Sequence, residues 1–182
     1  MKKKEKGSTA MIKPQLYLSI EDEGWNSALS DAEKISDTVM ETVFSYVSRH
    51  HDLSFLPADK EIIISLCLSN DENVHRLNRE FRGIDKPTNV LSFANIDDPD
   101  FTADCQNYDE IELGDIIIAL ETMKREAAEK GISFADHYCH LLTHGFLHIL
   151  GFDHQEDEEA EYMEGFEINI LHALNIANPY QE

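Results

Sequence analysis

The order of the secondary-structure signals predicts an α+β fold, in which a small mixed β-sheet is covered by helices. Four short runs rich in β-branched and aromatic residues lie before about residue 120, and only helical patterns follow them. A chain of 182 residues with 42% hydrophobic residues is long enough to bury one substantial core. We therefore expect one domain over residues 16–182, preceded by a disordered basic tail over residues 1–15.

The first half of the domain contains two predicted strands with a long helix between them. "QLYLSI" is rich in β-forming residues and predicts the first strand, and Asn26–His50 carries apolar residues at helical spacing. "EIIISLCLS" is a continuous apolar run with β-branched residues, which is typical of a buried strand.

The next segment, "SNDENVHRLNREFRG", predicts a capped helix. Ser69 and Glu72 have the spacing of a capping box, and Gly83 is placed to end the helix. Three apolar residues are predicted to share its buried face: Val74, Leu77 and Phe81.

The second half of the chain predicts two further strands and then three helices. "TNVLSF" and "LGDIIIAL" have strand character, and the acidic segment Asn95–Glu112 between them is predicted to be a loop. "ETMKREAAEKG" predicts the first helix of the group, Phe134–Leu150 the second, with Ser133 as its cap, and Glu156–Asn175 the third.

The chain is strongly acidic, and this bears on any polyanionic partner. The formal net charge is −21, whereas nucleic-acid binding usually depends on Lys and Arg at phosphates. Residues 95–115 and 155–182 contain no Lys or Arg. Between residues 71 and 90 the acids are matched by four basic residues, namely Arg76, Arg79, Arg82 and Lys86. We expect a polyanion to bind in this charge-balanced stretch.

Other compositional features indicate the cellular compartment. Cys67, Cys105 and Cys139 are far apart in the sequence, which disfavours a disulfide framework and a thiolate metal site. The basic start is not followed by the apolar run of a signal peptide, and no segment has the length and apolar character of a membrane span. These features predict a cytoplasmic protein.

The stretch "HGFLHILGFDH", residues 144–154, carries the strongest functional signal. His144 and His148 are four residues apart on a predicted helix, so both project from one face and can share a metal ion. Gly151 permits the left-handed turn that ends the helix and returns His154 toward them. Three histidines leave one position of a tetrahedral ion open, which is typical of catalytic zinc. Imidazole ligands also suit copper, nickel and iron.

Simpler interpretations of these residues exist. His144 and His148 could be polar members of an amphipathic helix, although the glycine and the third histidine disfavour this. Asp153 is interpreted either as an acceptor that orients an imidazole or as a loop cap. His140, one turn before His144, is interpreted as facing the core or as supporting a ligand from behind.

The spacing of the motif also matches the HExxHxxGxxH zinc signature of metzincin proteases, with one departure. The glutamate that serves those enzymes as general base is replaced here by Gly145, which cannot transfer a proton. A conventional metalloprotease is therefore disfavoured.

The motif and three other segments resemble one known family, the YbeY-type endoribonucleases, which are bacterial rRNA maturation factors. Residues 144–154 are similar to the family's HGxLHLxGYDH-like hallmark, with Ile149 and Phe152 in place of the usual leucine and tyrosine. "LNREFRGIDKPTNVLSF", "LGDIIIA" and the acidic "DEEAEYMEGFEINILHALNIANPY" are similar to its other signatures. The acidic segment Asn95–Glu112 is longer than is usual in the family.

The resemblance implies a zincin-like fold with the metal site at the end of a long helix, and one zinc ion per chain on His144, His148 and His154. It implies cleavage of single-stranded RNA, in 16S rRNA 3′ end processing and in ribosome quality control. The implied partners are rRNA and the small ribosomal subunit or its proteins. The resemblance also implies a functional role for Arg82, whose planar guanidinium suits bidentate phosphate contact. A helix-end arginine that offsets the helix dipole is the simpler alternative.

Two other functions remain open. A zinc hydrolase of another class, a protease or amidase, would need a remote carboxylate such as Glu112 or Asp115 in place of the missing glutamate. A non-catalytic, metal-dependent ribosome-assembly adaptor would place acidic surfaces against basic ribosomal proteins. The net charge of −21 favours the adaptor more than it favours RNA cleavage.

Overall fold

Residues 12–181 are described by a computed structural model of the chain, and they form four β-strands and seven α-helices. The elements are β1 (Gln15–Ile20), α1 (Gly24–Ala28), α2 (Ala32–His50), β2 (Glu61–Ser69), α3 (Asp71–Arg82), β3 (Val90–Ala94), α4 (Phe101–Asn107), β4 (Glu110–Ala119), α5 (Leu120–Lys130), α6 (Phe134–Ile149) and α7 (Asp157–Ala173). None of these helices combines the length and the apolar composition that crossing a membrane requires. The predicted tail, residues 1–15, lies mostly outside the described residues, and its last residue, Gln15, begins β1.

The four strands form one mixed sheet in the order β1-β2-β4-β3. β1, β2 and β4 run parallel, and β3 pairs antiparallel with β4 at one edge. Successive residues of a strand point to opposite faces. β4 therefore sends Ile116 and Ile118 into the main core, and Ile117 and Ala119 into a smaller cluster on the other face. The predicted α+β fold with a small mixed sheet under helices is confirmed.

The main core lies between one face of the sheet and helices α2, α6 and α7. α6 is central, because most of its residues are buried and it packs on α2, α7, β3 and β4. α3 covers the other face, where Val74 packs with Leu91 of β3 and Ile117 of β4. Since β3 is the edge strand, α3 and α6 lie on the two sides of this edge. A cleft runs across the edge between them.

The helix predicted over Asn26–His50 is wrong at its start, because α1 and α2 are separate helices, and Leu29, which follows α1, has a non-helical backbone with a φ of −147° and a ψ of 84°. The burial of Trp25 accounts for the break. Its side chain is fully buried, and its indole N–H donates to the carbonyl oxygen of Ser69 at 2.8 Å. The indole also packs against Tyr138 of α6. Tertiary packing thus overrides the local helical spacing.

α3 begins one residue later than the capping box predicts. The N-cap is Asn70, whose side chain accepts a hydrogen bond from the backbone N–H of Asn73 at 3.0 Å. Ser69 is the last residue of β2, and its hydroxyl donates to Glu21. The predicted end of the helix is confirmed, since Gly83 has a φ of 68°, in the left-handed region that favours glycine.

The buried face predicted for α3 is wrong at one position. Val74 is fully buried, but Phe81 is 69% exposed. The buried position near the end of the helix is taken instead by Asn78, whose side-chain amide donates to the carbonyl oxygen of Lys86 at 2.8 Å. This hydrogen bond ties the loop after α3 back to the helix.

The acidic segment Asn95–Glu112 contains more regular structure than the predicted loop. A 3-10 turn forms at Asn95–Asp97, α4 follows, and the last residues of the segment belong to β4. Phe101 is 7% exposed and packs into the main core. Phe101 and the buried Ile111 therefore hold this acidic segment against the domain.

Candidate metal centre

Three histidines converge at the C-terminal end of α6. His144, His148 and His154 each offer one ring nitrogen, and these atoms all lie within 4.8 Å of one another. Gly151 has a φ of 93°, and the turn that it makes brings the ring of His154 to 4.9 Å from the ring of His148, measured between centroids. A side chain at Gly151 would also meet Ile96. The predicted convergence of the three side chains is present in the structure.

Hydrogen bonds behind two of the rings fix which nitrogens face the cluster. Nδ1 of His148 lies 3.0 Å from the carbonyl oxygen of Phe152, which only accepts, so this nitrogen donates. Nδ1 of His144 donates to Oε1 of Glu167 at 2.7 Å. In neutral imidazoles the Nε2 atoms are then both acceptors. They face each other at 2.9 Å, and two lone pairs at this distance repel each other unless a cation binds both. The donor set therefore fits a metal ion that imidazole ligands suit.

The protonation state of His148 suits metal binding. Burial lowers the pKa of His148 to about 4, and the neighbouring His144 and His154 act in the same direction. His148 is therefore neutral at pH 7. A neutral imidazole is the form that binds a metal ion.

Glu167 of α7 belongs to the candidate site, although the spacing of the histidine motif does not predict it. It is 1% exposed, and its Oε2 accepts from Nε2 of His140 at 3.0 Å and from the hydroxyl of Tyr180. Burial alone raises the pKa of Glu167, but the hydrogen bonds from His140, His144 and Tyr180 outweigh burial and lower it to about 2. A carboxylate behind a ligand imidazole fixes the ring and makes its free nitrogen a stronger ligand.

A signal for Glu167 exists in the sequence. The buried apolar residues of α7 recur at helical spacing on one face, and they include Met163, Phe166 and Ile170. Glu167 falls on the same face. A carboxylate on an apolar helix face needs a buried partner, and His140, at 9% exposure, is one such partner. His140 thus faces the core and also supports a candidate ligand from behind, through Glu167.

Gly145, which replaces the metzincin glutamate, faces the sheet. A Cβ atom at this position would lie 3.0 Å from Cγ2 of Ile116 and 3.2 Å from Oγ of Ser92. α6 and the sheet therefore approach each other so closely here that a larger side chain has no room. The glycine is explained by packing, and the position does not point toward the histidine cluster.

The other acids considered in the sequence lie elsewhere or have local roles. Asp153 accepts a hydrogen bond from the backbone N–H of His154 at 2.7 Å, which is the loop-cap role. Asp115 lines a groove with Arg76 on the α3 side of the sheet, and Glu112 lines another groove beside α4. Neither residue lines the cleft at the histidines, so neither replaces the missing general base.

Arg82 lies at the end of α3 and lines a cleft of about 400 Å³ together with His148 and His154. Its Nη2 donates to the carbonyl oxygen of Ser92 at 2.7 Å, and its guanidinium carbon lies 5.7 Å from the ring centroid of Phe93. A guanidinium has five N–H donors, and this hydrogen bond uses one of them. The structure therefore brings Arg82 and two of the three histidines to one cleft.

A cluster of three imidazoles beside a cleft that an arginine lines is typical of one class of protein, the metal-dependent hydrolases. A structural metal site would have a fourth protein ligand. Comparison with known proteins then gives the family. Residues 23–175 match the family described as endoribonuclease YbeY. The chain belongs to this family, as its sequence motifs predicted, and the family is one of enzymes that hydrolyse RNA phosphodiester bonds.

Curated relatives and one solved structure agree with this assignment. The endoribonuclease YbeY of Agrobacterium fabrum is 41% identical over 165 residues, which are 91% of this chain and 94% of the relative. That of Paramagnetospirillum magneticum is 41% identical over 168 residues, 92% of this chain and 96% of the relative. The solution structure of TM1509 from Thermotoga maritima has a TM-score of 0.50 at 18% identity, and the match covers 92% of this chain and 100% of that one. This last likeness supports the fold.

Proposed function

We propose that this protein is a metal-dependent endoribonuclease that cleaves single-stranded RNA, with one zinc ion on His144, His148 and His154 and with Arg82 as a catalytic residue. The cleft that Arg82 shares with His148 and His154 carries the proposal. Membership of the family supplies the reaction class. The choice of residues is supported by the cleft, because Arg82, whose guanidinium suits a phosphate, lines it together with two of the three histidines.

The residues of the chain have separate roles in this proposal. When bound, the ion supplies Lewis acidity, which polarises a phosphoryl oxygen and makes water a stronger acid. The free N–H groups of Arg82 stabilise the negative charge that grows on the phosphoryl oxygens. The carbonyl oxygen of Ser92 and the ring of Phe93 hold the guanidinium in place. Glu167 accepts a hydrogen bond from Nδ1 of His144 and so orients this ring, whose Nε2 faces His148 and would be the atom that holds the ion.

The biological substrate in this proposal is rRNA in the cytoplasm, in 16S rRNA 3′ end processing and ribosome quality control. The relatives are named as endoribonucleases, and the family resemblance of the sequence supplies the rRNA role. The acidic surface suits contact with basic proteins of the small ribosomal subunit, because complementary charge steers association. A net charge of −21 also disfavours tight binding to RNA in general.

The test is cleavage of a labelled single-stranded oligonucleotide with the sequence of the 16S rRNA 3′ end. Its duplex and an unstructured protein are offered in parallel. Cleavage of the single strand that stops with a chelator and returns with zinc supports the proposal, and cleavage of the protein would favour a protease. The product ends identify the nucleophile, because a 2′,3′-cyclic phosphate implicates the ribose 2′-hydroxyl.

The net charge favours a second function, that of a metal-dependent ribosome-assembly adaptor without catalytic activity. Zinc-loaded protein that co-sediments with small ribosomal subunits but cleaves no RNA would establish the adaptor and exclude the nuclease.

A further inference from the structure

We propose that Phe81, with Phe93 behind it, is a stacking platform for an unpaired base of the RNA substrate, next to the phosphate contact of Arg82. This inference rests on the proposed function and extends it, because it names the feature of RNA that the site selects. The platform consists of these two rings. It lies at the C-terminal end of α3 and on the edge strand β3.

The exposure of Phe81 is the first observation. At 69%, Phe81 is more exposed than any other large hydrophobic side chain in residues 12–181. Its ring meets the ring of Phe93 edge to face, with centroids 5.9 Å apart and an interplanar angle of 69°. Most of the Phe81 ring therefore remains accessible to a ligand. Ile84, at 48% exposure, extends the apolar surface into the loop after the helix.

The second observation is that the platform is continuous with the candidate active site. Phe93 contacts Phe81, and it also lies under the guanidinium of Arg82. Arg82 in turn lines the cleft with His148 and His154. A strand whose phosphate contacts Arg82 therefore has a base within reach of Phe81.

The third observation is the charge around the platform. Glu80 pairs with Arg76 at 3.0 Å, and Asp85 pairs with His75 at 2.8 Å, so these two acids of α3 and its following loop are engaged. Asp97 and Asp153 line the cleft of Arg82, which neither Phe81 nor its loop lines. Within the part of the chain that the structure describes, three cations of α3 and its following loop have no ion-pair partner, namely Arg79, Arg82 and Lys86. An aromatic surface flanked by free cations is the composition of sites that bind single-stranded nucleic acid.

The acidity of the chain makes stacking the more effective source of affinity. Few phosphate contacts are available to a protein with a net charge of −21, and such contacts weaken with salt. Stacking of a base on an aromatic ring does not depend on charge. In a duplex both faces of each base are already stacked, so only an unpaired base can use the platform. Selection of single strands follows from this geometry.

The loop beside the platform is held in place by α3. Asn78 donates to the carbonyl oxygen of Lys86 at 2.8 Å. The pair between His75 and Asp85 makes a second connection between the helix and the loop. The platform thus needs little ordering when RNA binds, which reduces the cost of binding.

The experiment compares two ligands, oligoadenylate and an abasic ribose-phosphate oligomer of the same length, with the full-length protein. Phe81→Ala is expected to lower the affinity for oligoadenylate by roughly 5- to 150-fold, the range for loss of one stacked base. The affinity for the abasic oligomer should not change, and Phe81→Tyr should restore the affinity for oligoadenylate. The matched control is Tyr108→Ala, which removes a ring of 60% exposure from the groove beside α4 and should leave both affinities unchanged.

A fluorescent variant gives a direct readout. The one natural tryptophan, Trp25, is fully buried and supplies a constant background. In Phe81→Trp, oligoadenylate should quench the new emission and the abasic oligomer should not, because only a base can stack on the indole.

The outcomes separate the platform from the proposed function. If the wild-type protein cleaves RNA and Phe81→Ala binds oligoadenylate with the affinity of the wild-type protein, the platform is wrong and the proposed function stands. A Phe81→Ala variant that keeps its affinity for oligoadenylate but no longer co-sediments with small ribosomal subunits would make the patch a protein contact, and the platform would be wrong. Wild-type protein that neither binds nor cleaves RNA would overturn both.

Discussion

The two sides of the cleft, here named the metal side and the phosphate side after the roles proposed for them, are built in different ways. On the metal side, the candidate ligands lie on the central helix or just after it, and Glu167 behind them is 1% exposed and hydrogen-bonded through both oxygens. On the phosphate side, Arg82 and Phe81 lie in the exposed last turn of α3, and Arg82 is held by one carbonyl oxygen and one ring.

The difference shows how the two tasks constrain the fold. A metal ion needs ligand atoms fixed to within fractions of an ångström, and buried partners supply that precision. An RNA strand is flexible, and exposed cations and rings can contact it from the surface. Changes on the metal side should therefore affect metal binding and stability, and changes on the phosphate side should affect RNA alone.

Removal of a ligand on the metal side should have the largest effect. The wild-type protein should contain about one zinc ion per chain, and His148→Ala should lose most of the zinc and, with it, RNA cleavage. Metal analysis and a cleavage assay on the same preparation check this. His172→Ala, which changes an exposed histidine of α7, should keep both. Full zinc occupancy in His148→Ala would show that the ion binds elsewhere.

Removal of the cation on the phosphate side should have the second-largest effect. Arg82→Ala should reduce the rate of single-turnover RNA cleavage by about 10²–10³-fold, the cost of one lost donor to transition-state charge. Zinc content and melting temperature should stay close to wild type, because a helix-end surface arginine contributes little to folding. If zinc-loaded Arg82→Ala cleaves RNA at the same rate as the wild-type protein, the arginine has a structural role only. Arg49→Ala, at the end of α2, is the matched control.

Neutralisation of the carboxylate behind the metal side should have a smaller effect. Glu167→Gln should weaken zinc binding by about 10- to 100-fold, because the ring of His144 loses its charged acceptor. Competition with a chelator measures this affinity. Glu167→Gln that is saturated with zinc should bind RNA as the wild-type protein does. The matched control is Glu161→Gln, which alters an exposed residue of the same helix and should leave zinc binding unchanged. Unchanged zinc affinity in Glu167→Gln would limit the role of this carboxylate to packing.

Substitution of Gly145 should have the smallest effect on metal binding and RNA cleavage, because this residue contributes to packing. Its effect is expected on stability. Gly145→Ala should lower the free energy of unfolding by about 1–3 kcal/mol, because the added methyl group meets Ile116 and Ser92. Gly165→Ala, where nothing lies within 4 Å of the new atom, should raise it by up to about 1 kcal/mol. Urea denaturation measures both changes. A stable Gly145→Ala protein would mean that α6 can shift away from the sheet.

The features that local sequence predicts are those that depend on local geometry. The three histidines follow from helical periodicity and from a glycine that ends the helix, and both are visible within "HGFLHILGFDH". The cap at Ser133 is confirmed for the same reason, since its side chain accepts from the backbone N–H of Asp136 at 3.0 Å. Runs of β-branched residues predict the strand segments, and the order of strands and helices predicts the fold class.

The features that the sequence analysis missed depend on distant partners. The break before α2 arises because Trp25 reaches Ser69 and Tyr138. The exposure of Phe81 arises because the side chain of Asn78 takes the buried position to hold the following loop. Glu167 is separated from His144 by the whole loop between α6 and α7, and spacing along the chain does not reveal such a pair.

The short separation of the three histidines has a consequence for the order of events on unfolding. His144, His148 and His154 lie within eleven residues, and such short loops close at little entropic cost even in an unfolded chain. The denatured protein would therefore also bind the ion, although more weakly than the native protein does. Because the ion binds both states, it stabilises the fold by less than the affinity of the native state alone predicts. What the folded state adds is α6, which holds two of the rings on one face, the hydrogen bond from His148 to Phe152, and Glu167 of α7. On heating, the domain should thus unfold before the ion leaves.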